Sequence, residues 1–220
     1  MVWAWERPER LEFLDPDRVG VAYLARTLAL DGDRLVVRPR LQPLRVSPGT
    51  LVVAVVRIEE RTFRPSGLSE DLRRTTAAAI VELGHTPGLA GVQIDFDARV
   101  SQRPFYRALL IELRERLPAS VRLSINALAS WCLADTWLRG LPIDDAVPML
   151  FRMGLEDPQV RAHLASGGDF RNRACRHSVG ISTDEPRPPV PAGRRVYIFS
   201  PRVWSPSTFA TIRDEISRWP

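Results

Sequence analysis

The chain has no lysine: all 31 of its basic residues are arginine. Recognition of nucleic-acid phosphate ordinarily draws on both basic side chains and clusters them on one face. Here the arginines are spread along 220 residues, interleaved with 26 acids and never more than two in a row. The net charge of +5 is therefore no sign of a nucleic-acid partner, and none is expected. A GC-rich coding sequence would leave the same arginine bias. Cysteine is scarce too. With only Cys132 and Cys175, a disulfide scaffold is excluded, and two unpaired thiols suit the cytoplasm. Every apolar run stops far short of the about 18 residues a membrane helix needs, so no membrane span is expected. The opening Met1-Val2-Trp3-Ala4-Trp5-Glu6 lacks the basic n-region, apolar core and cleavage site of an export signal. The chain as it stands reads as cytoplasmic, or as exported if a segment upstream of that first strand is missing.

Two further absences narrow the chemistry. No glycine-rich phosphate loop (GxGxxG or GxxxxGK) follows any strand candidate, which argues against a nucleotide fold. His85, His163 and His177 stand apart, with no HExxH or paired spacing, so neither a metal site nor a cofactor is expected. No internal repeat is visible.

What is present is a series of short apolar runs bounded by turn residues. Eight read as strands: Val2–Glu6, Val19–Ala25, Leu51–Ile58, Gly91–Asp97, Arg122–Ala127, Val147–Met153, Ser178–Asp184 and Arg195–Ser200. Several, such as Leu51-Val52-Val53-Ala54-Val55-Val56, are apolar on both faces, as in a parallel sheet covered by helices. Helices fall between the later strands. Ser69 can cap one that carries Glu70 and Asp71 in its first turn and stops at Gly84. A second starts at Pro104 and spaces Phe105, Leu109, Leu113 and Leu117 by four. Others are expected over about Ala134–Arg139, Pro158–Ala165 and Ser207–Trp219, the last with Phe209, Ile212, Ile216 and Trp219 inward. Near the start, Asp31-Gly32-Asp33 is a hairpin signal between Thr27–Leu30 and Arg34–Arg38. Pro186–Pro191 reads as a polyproline-like loop. The pattern predicts an α/β fold: one compact (β/α)₈ TIM-type barrel over residues 1–220 with reduced early helices, the runner-up being an open doubly wound sheet.

In such barrels active sites lie at the C-terminal ends of the strands. Polar residues collect there: Glu6, Glu59 and Glu60, Asp95 and Asp97, Asn126, Arg152, then Asp184 and Glu185. The strongest feature is Gly91-Val92-Gln93-Ile94-Asp95-Phe96-Asp97. Alternation puts Gln93, Asp95 and Asp97 on one face, about 6.6 Å apart, with Val92, Ile94 and Phe96 on the other. Two acids so close in a partly dry site cannot both ionise freely, and a raised carboxylic acid beside an ionised one serves glycosidic cleavage. The plainer reading pairs both with Arg57 or Arg152, or makes one a helix cap. Trp131 and Trp204 follow strands five and eight and suit either a sugar platform or packing. Trp3, Trp5 and Trp137 read as core. Arg152 either holds a substrate carboxylate or sulfate or neutralises Asp95 and Asp97. Cys132 reads as a small buried residue rather than a nucleophile.

Gly91–Asp97 resembles the fourth-strand signature DGxDxDxE of family 18 chitinases, and the following Phe105-x3-Leu109-Leu110-x2-Leu113-Arg114 is similar as well. The resemblance implies that Asp95 orients the substrate's acetamido group. It implies that Asp97 stands for the acid/base glutamate, one methylene shorter. Gln93 and Ala90 replace the two earlier aspartates. Met149-Leu150-Phe151-Arg152 is similar to Met-x-Tyr-Asp, without the hydroxyl and with the acid replaced. Val55-Val56-Arg57-Ile58-Glu59 stands in place of SxGG. This likeness supports a sugar-hydrolase-like barrel, not chitinase activity. Val92–Arg103, Leu123–Cys132 and Val147–Gly154 also resemble the uncharacterised bacterial family of domain of unknown function 3142. That resemblance implies a barrel related to glycoside hydrolases, often exported, and no established activity.

The resulting expectation is a barrel whose partner is an oligosaccharide or polysaccharide. As an enzyme it would use Asp97 as general acid and Asp95 as orienting or stabilising carboxylate, with Glu6 or Glu59 as alternative nucleophile or base. Gln93, Asn126, Trp131, Arg152 and Trp204 would help bind substrate. The alternatives are a non-catalytic sugar-binding barrel and a structural, partner-binding protein.

Overall fold

Eight parallel strands close on themselves in the computed structural model, which describes residues 1–61, 67–188 and 190–219. In chain order the strands are β1 (Val2–Ala4), β2 (Glu9–Arg10), β3 (Val21–Asp31), β4 (Arg34–Pro39), β5 (Leu44–Arg45) and β6 (Val52–Glu60). They continue as β7 (Leu89–Asp95), β8 (Arg122–Leu128), β9 (Asp145–Met149), β10 (Ser178–Ser182) and β11 (Arg195–Phe199). The barrel runs β1-β3-β6-β7-β8-β9-β10-β11 and returns to β1. Closure rests on β1, which pairs Val2 with Val21 of β3 on one side and with Ile198 of β11 on the other. All eight expected strands are present.

The helices are α1 (Glu70–Gly84), α2 (Arg103–Arg116), α3 (Ala129–Leu133), α4 (Asp157–Ala165) and α5 (Pro206–Ile216). None lies between β1 and β6, so the early crossovers are indeed reduced. In their place β2 pairs with β5, and β3 turns at Gly32 into the antiparallel β4. The second expected strand and the first arm of the hairpin are thus one continuous strand. Ser69 caps α1 by accepting the Leu72 N–H at 3.2 Å. Its last residue, Gly84, has no room for a side chain because Leu117 lies against it. In α2, Phe105, Leu109 and Leu113 are buried as the fourfold spacing requires.

Two expectations fail here. No helix covers 134–139. The Asp135 carboxylate accepts the Trp137 N–H at 3.0 Å and pairs with Arg103 at 2.6 Å, and this local turn displaces the helix to α3. The cysteines are not free either. Cys132 in α3 is disulfide-bonded to Cys175, their Cα atoms 5.8 Å apart. Such bonds persist in oxidising compartments, so the argument for a cytoplasmic protein from unpaired thiols falls. Of the proline-rich stretch, Pro189 lies outside the described residues.

The core has separate inner and outer parts. Leu109, Leu110 and Leu113 of α2 pack with Val92, Ile94, Leu123 and Ile125 on the outer face of the sheet. A smaller cluster fills the barrel itself: Trp3, Ala22, Leu24, Val53, Val55, Val147 and Tyr197. Trp3 crosses this interior and donates its indole N–H to the Gln93 side-chain oxygen Oε1 at 2.9 Å. It reaches across only because position 180 is glycine; a Cβ there would meet the indole at 2.8 Å.

Candidate functional site

The strands end one step above that interior layer. Residues two positions further along keep the inward orientation. Trp3 leads to Trp5, Val55 to Arg57, Gln93 to Asp95, Val147 to Met149 and Tyr197 to Phe199. All of these second residues, together with Asn126, line a cleft of about 540 Å³ at the C-terminal mouth. On β3 the parity breaks. A bulge between Leu24 and Arg26 turns Arg26 outward, where it donates to the Ala79 carbonyl at 2.6 Å and pairs with Glu82 at 3.0 Å.

Asp95 closes β7 and is largely shielded, whereas Asp97 stands past the strand end and is exposed. Asn126 of β8 donates its amide to Asp95 Oδ1 at 3.0 Å. Burial pushes the Asp95 carboxyl up to about 6; the charge of Asp97 adds to this, and the Asn126 hydrogen bond and Arg57 oppose it. Asp97, though exposed as a residue, is also raised because the cleft walls partly desolvate its carboxyl, against the opposing charge of Arg57. Behind the pair, on α2, burial and these two carboxylates hold the Tyr106 hydroxyl well above its ordinary range. Tyr106 Oη, Gln93 Nε2 and Asn126 Oδ1 are buried without a hydrogen-bond partner among the described residues.

One wall is aromatic. Phe151 stacks on Phe199 with centroids 5.6 Å apart and planes within 1°, and Phe199 meets Trp5 edge-on at 6.1 Å. An arginine lies at each end. Arg57 sits 5.9 Å from the Trp5 ring centroid and Arg152 sits 5.1 Å from that of Phe199.

The cleft therefore brings together Asp95, Asp97, Asn126 and Arg152. The remaining sequence-based candidates lie elsewhere. Glu6 is exposed outside the cleft, within 3.5 Å of the Thr27 hydroxyl. Glu59 is held at the rim by Arg38 and, at 3.7 Å, by Arg57. Gln93 is buried beneath the floor against Trp3. Trp131 packs edge-to-face on Trp137 at 4.9 Å, and Trp204 is buried with its indole donating to the Trp3 carbonyl at 3.0 Å. Both are thus packing residues, because the chain after strands five and eight folds outward over the barrel wall. Trp5, read as core, faces the cleft. The cation acting on both carboxylates is Arg57, not Arg152. Strand parity would have found Trp5, Arg57 and Phe199, since each lies two positions beyond an interior residue.

Residues 48–159 match the family model described as Domain of unknown function (DUF3142). This segment carries Arg57, Asp95, Asp97, Asn126 and Arg152, while Trp5 and Phe199 lie outside it. No curated protein matches the chain in sequence. Among solved structures, the spore cortex-lytic enzyme SleL of Bacillus cereus is similar with a TM-score of 0.52 and 14% identity, over 83% of this chain. The chain spans 50% of that protein's length. At this identity the likeness is one of fold.

Proposed function

The chain belongs to the DUF3142 family, and on that premise we propose that its cleft binds a carbohydrate chain and hydrolyses a glycosidic bond in it. The observation that carries the reading is the Asp95–Asp97 pair, two carboxyls raised by burial beside an aromatic wall. Aromatic faces stack on sugar rings, and the pair supplies both an acid and a charge. The spore cortex-lytic name of the structural relative agrees with a barrel that acts on polysaccharide.

In this reading Asp97, the exposed member, donates its proton to the glycosidic oxygen as the bond to the leaving group breaks. Asp95, fixed by Asn126, orients a substrate group, and water adds to the anomeric carbon, its proton returning to Asp97. Activity is expected to decline as the pH rises and Asp97 loses the proton that burial helps it keep.

Asp97→Asn should lower kcat/KM by about a hundredfold or more while leaving oligosaccharide retention intact. Mass spectrometry of a mixed oligosaccharide pool after incubation with each protein measures both. Cleavage unchanged in the variant refutes Asp97 as the acid. A binding barrel without chemistry is the second reading, favoured by the placement of Glu6 and Glu59 outside the cleft. It predicts that both proteins return the glycans intact.

A further inference from the structure

The cleft is lined by an exposed arginine that has no close partner among the described residues. Arg152 directly follows the wall residue Phe151, with its guanidinium over the Phe199 ring. No described residue accepts a hydrogen bond from that guanidinium, and its ion pair with Asp184 is a loose 4.0 Å. Several other arginines are tightly engaged through their guanidinium groups. Arg40, for example, donates to the carbonyls of Trp5 and Arg7, and Arg161 donates to Asp157 at 2.7 Å. The acids beside Arg152 are committed as well. Glu185 turns both carboxylate oxygens on the Arg152 backbone N–H, at 3.0 and 3.2 Å, and Asp184 accepts the Ser182 hydroxyl.

The backbone adds an independent sign. Arg152 has a φ of 52°, a left-handed conformation that a non-glycine residue adopts at an energetic cost. Glu185 holds it there. The guanidinium then lies over the Phe199 ring at the rim of the cleft, 5.1 Å from the ring centroid. A guanidinium so placed can receive a carboxylate or sulfate in bidentate fashion.

Resting on the carbohydrate reading of this cleft, we propose that its substrates are acidic glycans, with a carboxylate or sulfate of the sugar held by Arg152 while a ring stacks along Trp5 and Phe199. Arg57, at the other end of the wall, is already engaged by Glu59 and by the field of Asp95 and Asp97. The anion therefore goes to the Arg152 end, where it displaces only the loose pairing with Asp184.

A glycan array tests this when it carries neutral glycans beside matched partners bearing uronate carboxylates or sulfate esters. The wild-type protein should retain acidic members on the order of ten- to a hundredfold better than their neutral partners. Arg152→Gln, a change at an exposed side chain, should erase that preference and keep the weaker retention of neutral glycans. Retention confined to uronates or to sulfates supports the proposal and identifies the anion. Equal retention of neutral and acidic partners by the wild type overturns it and leaves the carbohydrate reading standing, as does a preference that survives Arg152→Gln. Retention of no glycan of any kind overturns both.

Discussion

At the scale of single residues the cleft is built against its own stability, and Asp95 shows how. Its carboxyl titrates near 6 in the folded chain against about 3.9 in an unfolded one. The folded state thus binds the proton more tightly, so this group favours folding below about pH 4, and that contribution is lost as the pH rises through 6. The penalty at neutral pH is at most about 3 kcal/mol. Asp95→Asn keeps an oxygen for the Asn126 amide and removes the buried charge. It should raise the unfolding free energy by about 1–3 kcal/mol at pH 7.5 and leave it nearly unchanged at pH 4, as urea titrations at the two values would show. Equal effects at both would mean that the charge is not the cause. The Asp95 and Asp97 pair was legible in the sequence because charged residues interrupt an otherwise apolar strand. Trp5 and Phe199 were not, since an aromatic residue at a strand end looks the same whether it faces the cleft or the core. Only the parity set by Trp3 and Tyr197 separates the two cases.

At the scale of elements, the strands were easier to place than the segments after them. Runs such as Val52–Val56 must be covered on both faces, and that requirement alone leads to a helix-clad parallel sheet. The course of the chain beyond a strand end is decided by individual side chains. One carboxylate, Asp135, replaces an expected helix with a turn, and one bulge in β3 sends Arg26 to α1 instead of the cleft. The same dependence on one position lies behind the floor of the cleft. The Trp3 indole spans the barrel against Gly180 of β10, and Phe151 packs on it edge-to-face at 6.1 Å. Gly180→Ala puts a methyl group where the indole now lies, so β10 and Trp3 must separate. Overpacking of this kind costs about 1–3 kcal/mol. The displacement should pass through Phe151 to the wall, so glycan retention is expected to weaken although residue 180 does not line the cleft. Denaturant unfolding and the array together check this. Lost stability with unaltered retention would show that the wall is positioned by Phe199 and Trp5 alone.

At the scale of the whole molecule, the helices are unevenly placed and the cross-link is on the helical side. The first 60 residues wrap three barrel strands without a crossover helix, and β4 and the β2–β5 pair stand in for that layer. The helical half carries the larger outer core, in which α3 is only one and a half turns long. The Cys132–Cys175 bond joins α3 to the turn before β10, across the segment that holds β9 and α4. Cysteine number gave no hint of this, because two cysteines 43 residues apart pair only if the fold brings them together. Closing such a loop restricts the unfolded chain and is worth about 2–4 kcal/mol. Replacing both cysteines by serine should lower the unfolding free energy by that amount, and reductant should do the same to the wild type but not to the variant. Because the cystine is buried behind the barrel wall, the cleft should keep its glycan preference at temperatures where the variant remains folded. Equal stability of variant and wild type under oxidising conditions would mean that this half of the barrel is held by its packing and that the bond adds nothing to it.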